Sequence, residues 1–557
     1  HAGTLGHSLP ENVDALFLMG LSDGVLQRET QSLLTPEERQ AAQEETGCFL
    51  GLTDENRVRF AKLDLKRAMT LPTRYLFLSC AKTSPEGAAL RPLPLLGNLT
   101  GQLIAHVRPS PVEMEELPLS ATQALAELSL ALRAQRDGLG DSSLSAQHQE
   151  WLRKLLENQH TAPAAMRLLR AVRYDGSATP ITREQARLLF GDETMSISRL
   201  EEFAKCPFKH FLHYGLRPNV LKEWRIDPIE TGNFYHDALN RFARLARKEP
   251  AYPDISPERV SQLADEAMEP GREEVLQGPM GDGERNLWRF HLAEDVVRKA
   301  AQVITDQLAA GSFSVYRTEA AFGYEGGLPP IILALSDGRH VTLRGRIDRI
   351  DRFDTEDSVY LRVIDYKSSQ QQLEANRTWW GLQLQLLLYL EVCTAAIPGG
   401  KPAGAFYFYV ADPLVESDTD LTEKVEENLR KLFRLKGITL YDVEVIEAMD
   451  SGEIPCVLPP LVQSGGEMRK DAHALSMEQM TALIQHAREE ATRLAQELLD
   501  GETAISPMRD GMAACEMCDY QSVCHFDPTR PDASFREVPK LDMEGLREKL
   551  DERLQQQ

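Results

Sequence analysis

The stretch Val359-Tyr-Leu-Arg-Val-Ile-Asp-Tyr-Lys367 decides the fold, because its apolar and β-branched residues predict a strand inside a sheet. Residues two apart on a strand share a face, so Asp365 and Lys367 are predicted to point the same way. The segment Gly345-Arg-Ile-Asp348 is predicted to lie on the preceding strand, joined to the first by a turn near residues 355–357. This hairpin is expected to bring Asp348 beside Asp365.

Two converging carboxylates repel each other unless a cation lies between them, and hard oxygen ligands favour Mg²⁺ or Mn²⁺. Lys367 beside such a site would orient a water molecule or stabilise charge on a phosphate. The alternative is an ordinary solvated ion pair, which is the commoner role of an Asp-x-Lys segment. The hairpin alone therefore does not define a reaction centre.

Other polar residues support the first interpretation. The segment Glu230-Thr-Gly-Asn-Phe-Tyr-His236 places a histidine early in a predicted helix. Gln385 and Tyr389 are four residues apart in an apolar helix, so they share one face, and a polar pair there needs buried partners. The structural alternatives are a core histidine and a polar pair that only accompanies core packing.

The cysteines form a second constellation. Cys515-x2-Cys518-x5-Cys524 supplies three thiolates, and Cys206, 309 residues before Cys515, is the candidate for the fourth. Such a link would clamp the two ends of one domain. Zinc and a [4Fe–4S] cluster both accept four thiolates, so ligand chemistry does not choose between them. A buried, unliganded thiol is the alternative for Cys206. The remaining cysteines have no assigned partner: Cys48, Cys80, Cys393 and Cys456.

The order Gly-x-x-x-His, Gly-Arg-Ile-Asp, Ile-Asp-Tyr-Lys, Gln-x-x-x-Tyr resembles the RecB-type branch of the PD-(D/E)xK nucleases. The resemblance implies that His236, Asp348 and Asp365 bind the metal and that Lys367 is the catalytic lysine. It also implies that Gln385 and Tyr389, the pair specific to this branch, lie near the DNA. Glu319, before the hairpin, is a weaker candidate for an additional acid. Ile364 stands near the position for which the superfamily is named, so the literal Pro-Asp spelling is absent there.

A lone cysteine before the nuclease motifs and Cys-x2-Cys-x5-Cys after them resembles the iron-staple nucleases. This resemblance implies a structural [4Fe–4S] cluster that is bound by four ligands: Cys206, Cys515, Cys518 and Cys524. The expected cofactors are therefore Mg²⁺ and one iron–sulfur cluster.

The N-terminal part has a different character. Residues 13–20 and 74–80 are predicted strands with a polar helical stretch, residues 36–69, between them. Asp14-Ala-Leu-Phe-Leu-Met-Gly-Leu-Ser-Asp-Gly24 resembles a strand and turn of the second motor domain of UvrD-like helicases. No Gly-x-x-x-x-Gly-Lys-Ser/Thr loop is present, so this chain is not expected to hydrolyse ATP alone.

A degenerate helicase-like region followed by an iron-staple nuclease resembles the arrangement in the bacterial AddAB-type helicase–nucleases. The resemblance implies an α/β fold: a remnant of a UvrD-like (RecA-like) helicase domain, then a RecB-type nuclease domain whose mixed central sheet is flanked by helices. The predicted domains are a degenerate helicase-like domain (1–110), a helical linker (111–191), the nuclease domain with its staple (192–535) and a C-terminal tail helix (536–557).

The implied function is metal-dependent exonuclease cleavage of DNA, of the 5′-ended strand, in the repair and recombination of double-strand breaks. The implied partners are an AddA-like helicase–nuclease subunit, as a heterodimer, and single-stranded DNA fed from a duplex. The alternative is a non-catalytic DNA-binding and assembly module with a structural metal site. The chain begins at His1 without a methionine, so we expect it to be part of a longer protein.

Composition limits these possibilities. The 557 residues carry a net charge of −23, which excludes a globally basic nucleic-acid surface, so DNA contacts must be local. Residues 199–225 carry six basic and three acidic residues among aromatics that suit base stacking, although a core role for the aromatics is the alternative. Four arginines around Asp348 are candidates for holding phosphates: Arg344, Arg346, Arg349 and Arg352.

No signal peptide or apolar span of membrane length is present, and a cytoplasmic protein is expected.

The predicted elements of the second half follow the motifs. Ser198-Arg-Leu-Glu201 has the spelling of a capping box that opens a helix reaching residue 214. Further helices are predicted at 230–248, 257–276, 284–310, 378–395, 477–499 and 541–556. Strands are predicted at 315–324, 330–335, 340–350, 359–367 and 404–410.

Overall fold

A computed structural model describes residues 13–22, 35–48, 51, 54–83, 89–94, 96, 120–138, 144–173, 180–191, 194–218, 228–411, 422–452, 455–463, 467–529 and 533–556. The chain divides into two compact units, His1–Leu119 and Ser120–Gln557. Among the described helices, none combines the length and the apolar character needed to cross a bilayer.

The first unit contains a pair of parallel strands, β1 (Ala15–Leu18) and β2 (Tyr75–Leu78), with Ala15 opposite Tyr75. Two helices lie between them in the chain, α1 (Pro36–Thr46) and α2 (Asp54–Thr70). The predicted strand–helix–strand order is therefore present. Parallel strands need a crossover connection, and these helices supply it.

The second unit begins with short helices, most of which start at a serine or threonine whose side chain accepts a backbone N–H. Four precede the nuclease motifs: α3 (Ala121–Asp137), α4 (Ala146–Glu157), α5 (Ala162–Arg173) and α6 (Arg183–Phe190). The first three of them share a small apolar core that includes Leu128, Leu155 and Ala165.

A six-stranded mixed sheet forms the centre of the second unit. Its strands are β4 (Ser314–Phe322), β7 (Gly345–Asp354), β8 (Val359–Lys367), β9 (Gly400–Tyr409), β10 (Lys436–Leu440) and β11 (Ala474–Leu475). Their order across the sheet is β11–β10–β9–β8–β7–β4. The pairs β4–β7 and β7–β8 are antiparallel, whereas β8–β9 is parallel.

Two smaller sheets accompany it. One contains β3 (Thr194–Met195), β5 (Ile331–Ala334) and β6 (His340–Leu343). In the other, β12 (Met508–Arg509) and β13 (Arg536–Glu537) pair in parallel.

Helices cover both faces of the large sheet. The remaining helices are α7 (Ile197–Lys205), α8 (Pro207–His210), the π-helical turn Phe211–Leu216, α9 (Pro228–Ala246), α10 (Pro257–Leu276), the 3₁₀ turn Pro279–Gly281, α11 (Glu284–Ala309), α12 (Ala375–Trp379), α13 (Gln385–Ala396), α14 (Thr422–Phe433), α15 (Val443–Met449), α16 (Met477–Leu499), α17 (Gln521–Cys524) and α18 (Met543–Gln555). One core packs α13, α16 and α18 against Leu361 and Val363. The other packs α9 and α11 against Ile364 and Tyr366.

Several predicted boundaries are wrong. The predicted helix 378–395 is two helices, α12 and α13, and the predicted strand 340–350 is divided at Arg344 between two sheets. The sequence analysis does not predict α14, β10 and α15. The tail is a helix only from Met543, and it packs Leu546 and Leu550 into the core of the nuclease sheet. Within the predicted helical linker, residues 111–119, 139–143 and 174–179 lie outside the described residues.

The prediction of a capping box at Ser198 and Glu201 is also wrong. The N-cap of α7 is Ser196, whose side chain accepts from the backbone N–H of Arg199. Because the helix starts two residues earlier than predicted, Glu201 lies inside α7 and its carboxylate is available to another element.

Candidate active site

The hairpin of β7 and β8 places the two aspartates at adjacent positions. Its register begins at the pair Arg349 and Ile364, so Asp348 and Asp365 lie opposite each other one position beyond the end of the ladder. The turn is closed by the backbone N–H of Thr355, which donates to the carbonyl of Ser358 at 2.9 Å. Both aspartates are buried, and the predicted juxtaposition is therefore present.

Asp348 is held from two sides. Its Oδ2 accepts the backbone N–H of Tyr366 at 2.8 Å and lies 3.2 Å from Nδ1 of His236 on α9. Burial opposes the protonated form of His236, but the hydrogen bond and the charge of Asp348 outweigh that effect, and the pKa of His236 is raised. The motif histidine, remote in sequence, thus contacts the first aspartate directly.

Asp365 has a different set of partners. Its Oδ1 accepts Nε2 of Gln385 at 2.8 Å, and its Oδ2 forms an ion pair with Nζ of Lys367. Burial and the negative charge of Asp348 raise the pKa of Asp365 to about 7, against the opposing effect of Lys367. Burial lowers the pKa of Lys367, but the charges of Asp365 and Asp348 outweigh it, so the amine stays cationic.

Gln385 is the first residue of α13 and Tyr389 lies one turn later, on the same face, which meets the hairpin. Nε2 of Gln385 also lies 3.1 Å from the Tyr389 hydroxyl. Gly345 at the start of β7 makes room nearby, because a Cβ there would lie 2.8 Å from the ring of Phe322 and 3.6 Å from the Tyr389 hydroxyl. The glycine of the Gly-Arg-Ile-Asp motif is therefore required by close packing.

A group suited to a metal ion lies where this hairpin meets α9 and β4. Among the described residues, one ligand atom each from His236, Glu319 and Asp348 lie within 4.8 Å of one another. Glu319 has a left-handed backbone, φ 48°, inside β4, which is a strained conformation for a residue with a side chain. Burial and the charge of Asp348 raise the pKa of Glu319. Asp365 lies outside this group and contacts Lys367 and Gln385 instead.

The chemistry of the donors suits a hard divalent cation. Three buried or half-buried carboxylates, Asp348, Asp365 and Glu319, lie together here. Burial and mutual repulsion raise the pKa values of Asp365 and Glu319 despite the nearby cations, and a divalent ion would offset both effects. The residues present therefore fit the group that the sequence predicts.

One of the four arginine predictions is wrong, and the other three stay predictions. Arg349 is 2% exposed and donates from Nε and Nη2 to both oxygens of Asp351, so it cannot reach a phosphate. Arg352 forms an ion pair with Asp354 at 2.7 Å. Arg346 is 68% exposed and lies 3.3 Å from Glu319.

Two residues of the aromatic segment after Ser198 have a structural role. Arg199 is buried and donates to Nε2 of His210 at 2.9 Å and to the carbonyl of Phe190 at 3.0 Å. His210 is fully buried, so neither residue is open to a base. Lys222 and Arg225 lie outside the described residues.

A cavity of about 780 Å³ opens beside Lys367 and Gln385. Its wall includes Lys205 and Lys209, from the segment before the π-helical turn, and Arg377 from α12. Its far side is formed by residues between Met508 and Met517, the segment that leads into the cysteine cluster.

The four cysteines of the second constellation influence one another. Burial and the charges of Cys206, Cys524 and Cys518 together raise the pKa of the Cys515 thiol to about 12. Burial also raises the pKa of Cys206, while backbone amides of Lys209, Ser506 and Phe208 point at its sulfur and favour the thiolate. No three of these sulfurs, all within the described chain, lie within 4.8 Å of one another.

Sequence reasoning missed Glu201 and Tyr407. Glu201 on α7 accepts two backbone N–H groups at the start of α13, and its charge is among the causes that raise the pKa of Lys367. Tyr407 on β9 lies under Nζ of Lys367, 5.7 Å from the ring centre. No local signal indicates the role of Glu201, because its partners lie 183 and 184 residues further along the chain.

Comparison with known proteins defines the class. The family model of the PD-(D/E)XK nuclease superfamily matches residues 194–525, and the chain belongs to this superfamily. The predicted nuclease family and the mixed sheet flanked by helices are confirmed.

Curated relatives are more specific. The chain is 28% identical to the AddB subunit of the ATP-dependent helicase/deoxyribonuclease of Alkaliphilus oremlandii, over 98% of its own length and 49% of the relative's. It is 33% identical to the protein of the same name in Moorella thermoacetica, over 97% of this chain and 48% of that one. The resemblance to AddAB-type helicase–nucleases is thereby confirmed, and the chain spans about half the length of these relatives.

Proposed function

We propose that this chain is the nuclease-bearing part of an AddB-type protein and that it hydrolyses phosphodiester bonds of DNA with a divalent metal. The observation that carries the proposal is the β7–β8 hairpin, which sets Asp348 and Asp365 side by side with Lys367 on the second strand. His236, Asp348 and Asp365 are the proposed ligands, with Glu319 as an additional acid.

The chain's own residues have separate roles in this proposal. A bound Mg²⁺ supplies the charge that activates water and neutralises the phosphate. His236 orients Asp348, and Gln385 orients Asp365 through Oδ1. Lys367 stays cationic beside Asp365 and stabilises the negative charge that develops on the phosphate. Tyr389 fixes the Gln385 amide.

The cavity beside Lys367 is the proposed path of the substrate strand. Lys205 and Lys209 line it together with Lys367, and these cations suit a run of phosphates even though the whole chain is acidic. The cavity is open rather than enclosed by apolar walls, so a sugar–phosphate backbone suits it better than a small apolar ligand.

We propose exonuclease cleavage of the 5′-ended strand, with an AddA-like partner in a heterodimer that processes double-strand breaks. Support comes from the name of the relatives, which joins a helicase to a deoxyribonuclease, and from the resemblance of residues 13–24 to a UvrD-like motor domain. The sequence has no phosphate-binding loop, so we assign no ATP hydrolysis to this chain alone.

We further propose that Cys206, Cys515, Cys518 and Cys524 hold a structural [4Fe–4S] cluster. The backbone amides around Cys206 favour the thiolate that such a cluster needs. A cluster binds each thiolate through a different iron, so it does not require the close sulfur spacing that a single zinc imposes. Anaerobically purified protein is expected to be brown with visible absorbance. A colourless protein containing stoichiometric zinc would contradict the cluster.

The experiment that tests the nuclease compares the full chain with Asp365→Ala. We expect Mg²⁺-dependent cleavage of a labelled single-stranded oligodeoxynucleotide to fall by about 10³-fold or more while its binding is retained. The second candidate, a non-catalytic DNA-binding and assembly module, is favoured by the Cys515-x2-Cys518-x5-Cys524 segment, which suits a structural metal site, and by the absence of a phosphate-binding loop from this sequence. Wild-type protein that binds DNA but cleaves none, also with its partner subunit present, would establish that alternative.

A further inference from the structure

Helix α13 begins without a cap of its own. An α-helix leaves its first backbone N–H groups unsatisfied, and a side chain at the N-cap usually accepts one of them. The N-cap of α13 is Leu384, an apolar residue with no side-chain hydrogen bond, and it is fully buried. The buried N–H groups at this end therefore need an acceptor from elsewhere.

Glu201 supplies that acceptor from α7. Its Oε1 accepts the N–H of Leu384 at 2.7 Å and the N–H of Gln385 at 2.8 Å. A carboxylate at a helix N-terminus is also favoured by the helix dipole. One glutamate thus replaces the missing cap with two hydrogen bonds.

The position of this cap matters because Gln385 is the first residue of α13. The side chain of Gln385 donates to Asp365 Oδ1, so its backbone and its amide are fixed by two carboxylates from different elements. Releasing the backbone of Gln385 would let its side chain move away from Asp365.

The helix that carries Glu201 is itself rigid. Leu200 and Phe203, on either side of Glu201, are buried in the core that contains α13. The end of α7 is tied down by Arg536, which donates from Nη2 to the carbonyl of Ala204 at 2.8 Å. Glu201 is therefore held by packing and does not depend on the loop that precedes α13.

We propose that Glu201 is a positioning residue that caps α13 and thereby holds the Gln385 side chain on Asp365. The consequence for catalysis rests on the proposed nuclease function, whereas the capping does not. Glu201 needs no contact with the substrate for this role.

The test uses Glu201→Ala, Glu201→Gln and the control Glu202→Ala in the full chain. Glu202 is the next residue of α7, and it contacts His213 and Lys209 instead of α13, so its substitution leaves the proposed cap intact. Hydrogen exchange of the peptide covering residues 382–389 reports the cap, and cleavage of a single-stranded oligodeoxynucleotide in Mg²⁺ reports kcat and KM.

We expect Glu201→Ala to speed exchange at the start of α13 roughly five- to tenfold, since a cap is typically worth that factor. Its kcat is expected to fall ~10- to 100-fold, as for a misplaced catalytic group, with KM changed by less than about threefold. Glu201→Gln keeps an oxygen acceptor and should restore both quantities to within about threefold of wild type.

Three results would overturn the proposal: exchange in Glu201→Ala equal to that in Glu202→Ala, a fall in kcat that glutamine does not rescue, or a loss expressed in KM alone. If Glu201→Ala does not fold, Glu201→Asp replaces it, because aspartate keeps the charge but is one methylene too short for the hydrogen bonds to Leu384 and Gln385. A cap then predicts faster exchange at the start of α13, and wild-type exchange in Glu201→Asp would overturn the proposal. Wild-type protein that shows the protected amides but no cleavage would refute the proposed function and leave the cap standing.

Discussion

The β7–β8 hairpin contributes to two buried charged clusters that differ in the balance of their charges. In the first, called here the arginine cluster, Arg349 and Arg362 both donate to Asp351, and all three side chains are at most 2% exposed. In the second, the carboxylate site, Asp348 and Asp365 lie one ladder position beyond Arg349 and Ile364. The two clusters share strands and are both buried, so the difference between them lies in their charges.

The arginine cluster satisfies its carboxylate completely. Both oxygens of Asp351 accept guanidinium N–H groups at 2.7–2.9 Å, and Arg362 also lies 4.6 Å above the ring of Phe313. In the carboxylate site, by contrast, burial and like charge raise the pKa of Asp365 to about 7. A buried cluster with excess negative charge is costly to keep, and a divalent cation is the ordinary remedy. The comparison separates a structural cluster from a functional one.

The largest expected effect is on the arginine cluster. Asp351→Ala leaves two buried guanidinium groups without their carboxylate and should lower the free energy of unfolding by about 3–5 kcal/mol. Urea unfolding measures it. The control Asp354→Ala removes the exposed partner of Arg352 and should cost less than about 1 kcal/mol. Equal losses in the two variants would remove the distinction between buried and exposed pairs on this hairpin.

Removing a charge from the carboxylate site should have the opposite effect on stability. The pKa of Asp365 in the folded protein is raised, so the folded state takes up a proton at higher pH than the unfolded state does. In EDTA, this residue's contribution should therefore stabilise the fold as pH falls from about 7 to about 4 and be lost as pH rises through about 7.

Asp365→Asn should lack that contribution. At about pH 7.5 without metal, its melting temperature should equal or exceed that of wild type, and the difference should shrink at about pH 5. Thermal unfolding at the two pH values is the measurement. A variant that melts well below wild type at the higher pH would mean that Asp365 is a stabilising partner of Lys367 and not one member of a repelling pair.

The smallest expected effect concerns the cations of the cavity, which belong to neither cluster. Lys205→Ala combined with Lys209→Ala should raise KM for single-stranded DNA roughly three- to tenfold and change kcat little. Each substitution should reduce the slope of log binding constant against log salt by about one. Lys470→Ala, at an exposed lysine paired with Glu544, is the matched control. If the salt dependence of DNA binding is unchanged in the double variant, the DNA strand does not pass along this cavity.

Local periodicity explains what the sequence could predict. Asp365 and Lys367 are two residues apart on a strand, and Gln385 and Tyr389 are four apart on a helix, so their shared faces follow from geometry alone. The hairpin pairing of Asp348 with Asp365 needs only one short turn. The tail helix is predicted within a few residues of its observed bounds, although its burial in the nuclease core is not.

The failures at the site concern residues that are distant in sequence. The role of Glu201 depends on amides about 180 residues away, and its local spelling suggests a cap for its own helix. The sequence predicts a phosphate ligand at Arg349 because it does not reveal that Asp351 and Arg362 enclose this side chain. Burial of a charge is decided by neighbouring strands, and the local pattern around an arginine does not indicate it.

The most direct test of the divalent site is a calorimetric titration of Mn²⁺ into metal-free protein. Wild type and Glu202→Ala should each bind the ion and release protons near pH 7, because Asp365 must lose its proton as the ion enters. Asp348→Asn and Asp365→Asn should each lose most of the affinity. If both asparagine variants bind Mn²⁺ as tightly as wild type, the paired aspartates do not hold the metal and the proposed reaction centre is wrong.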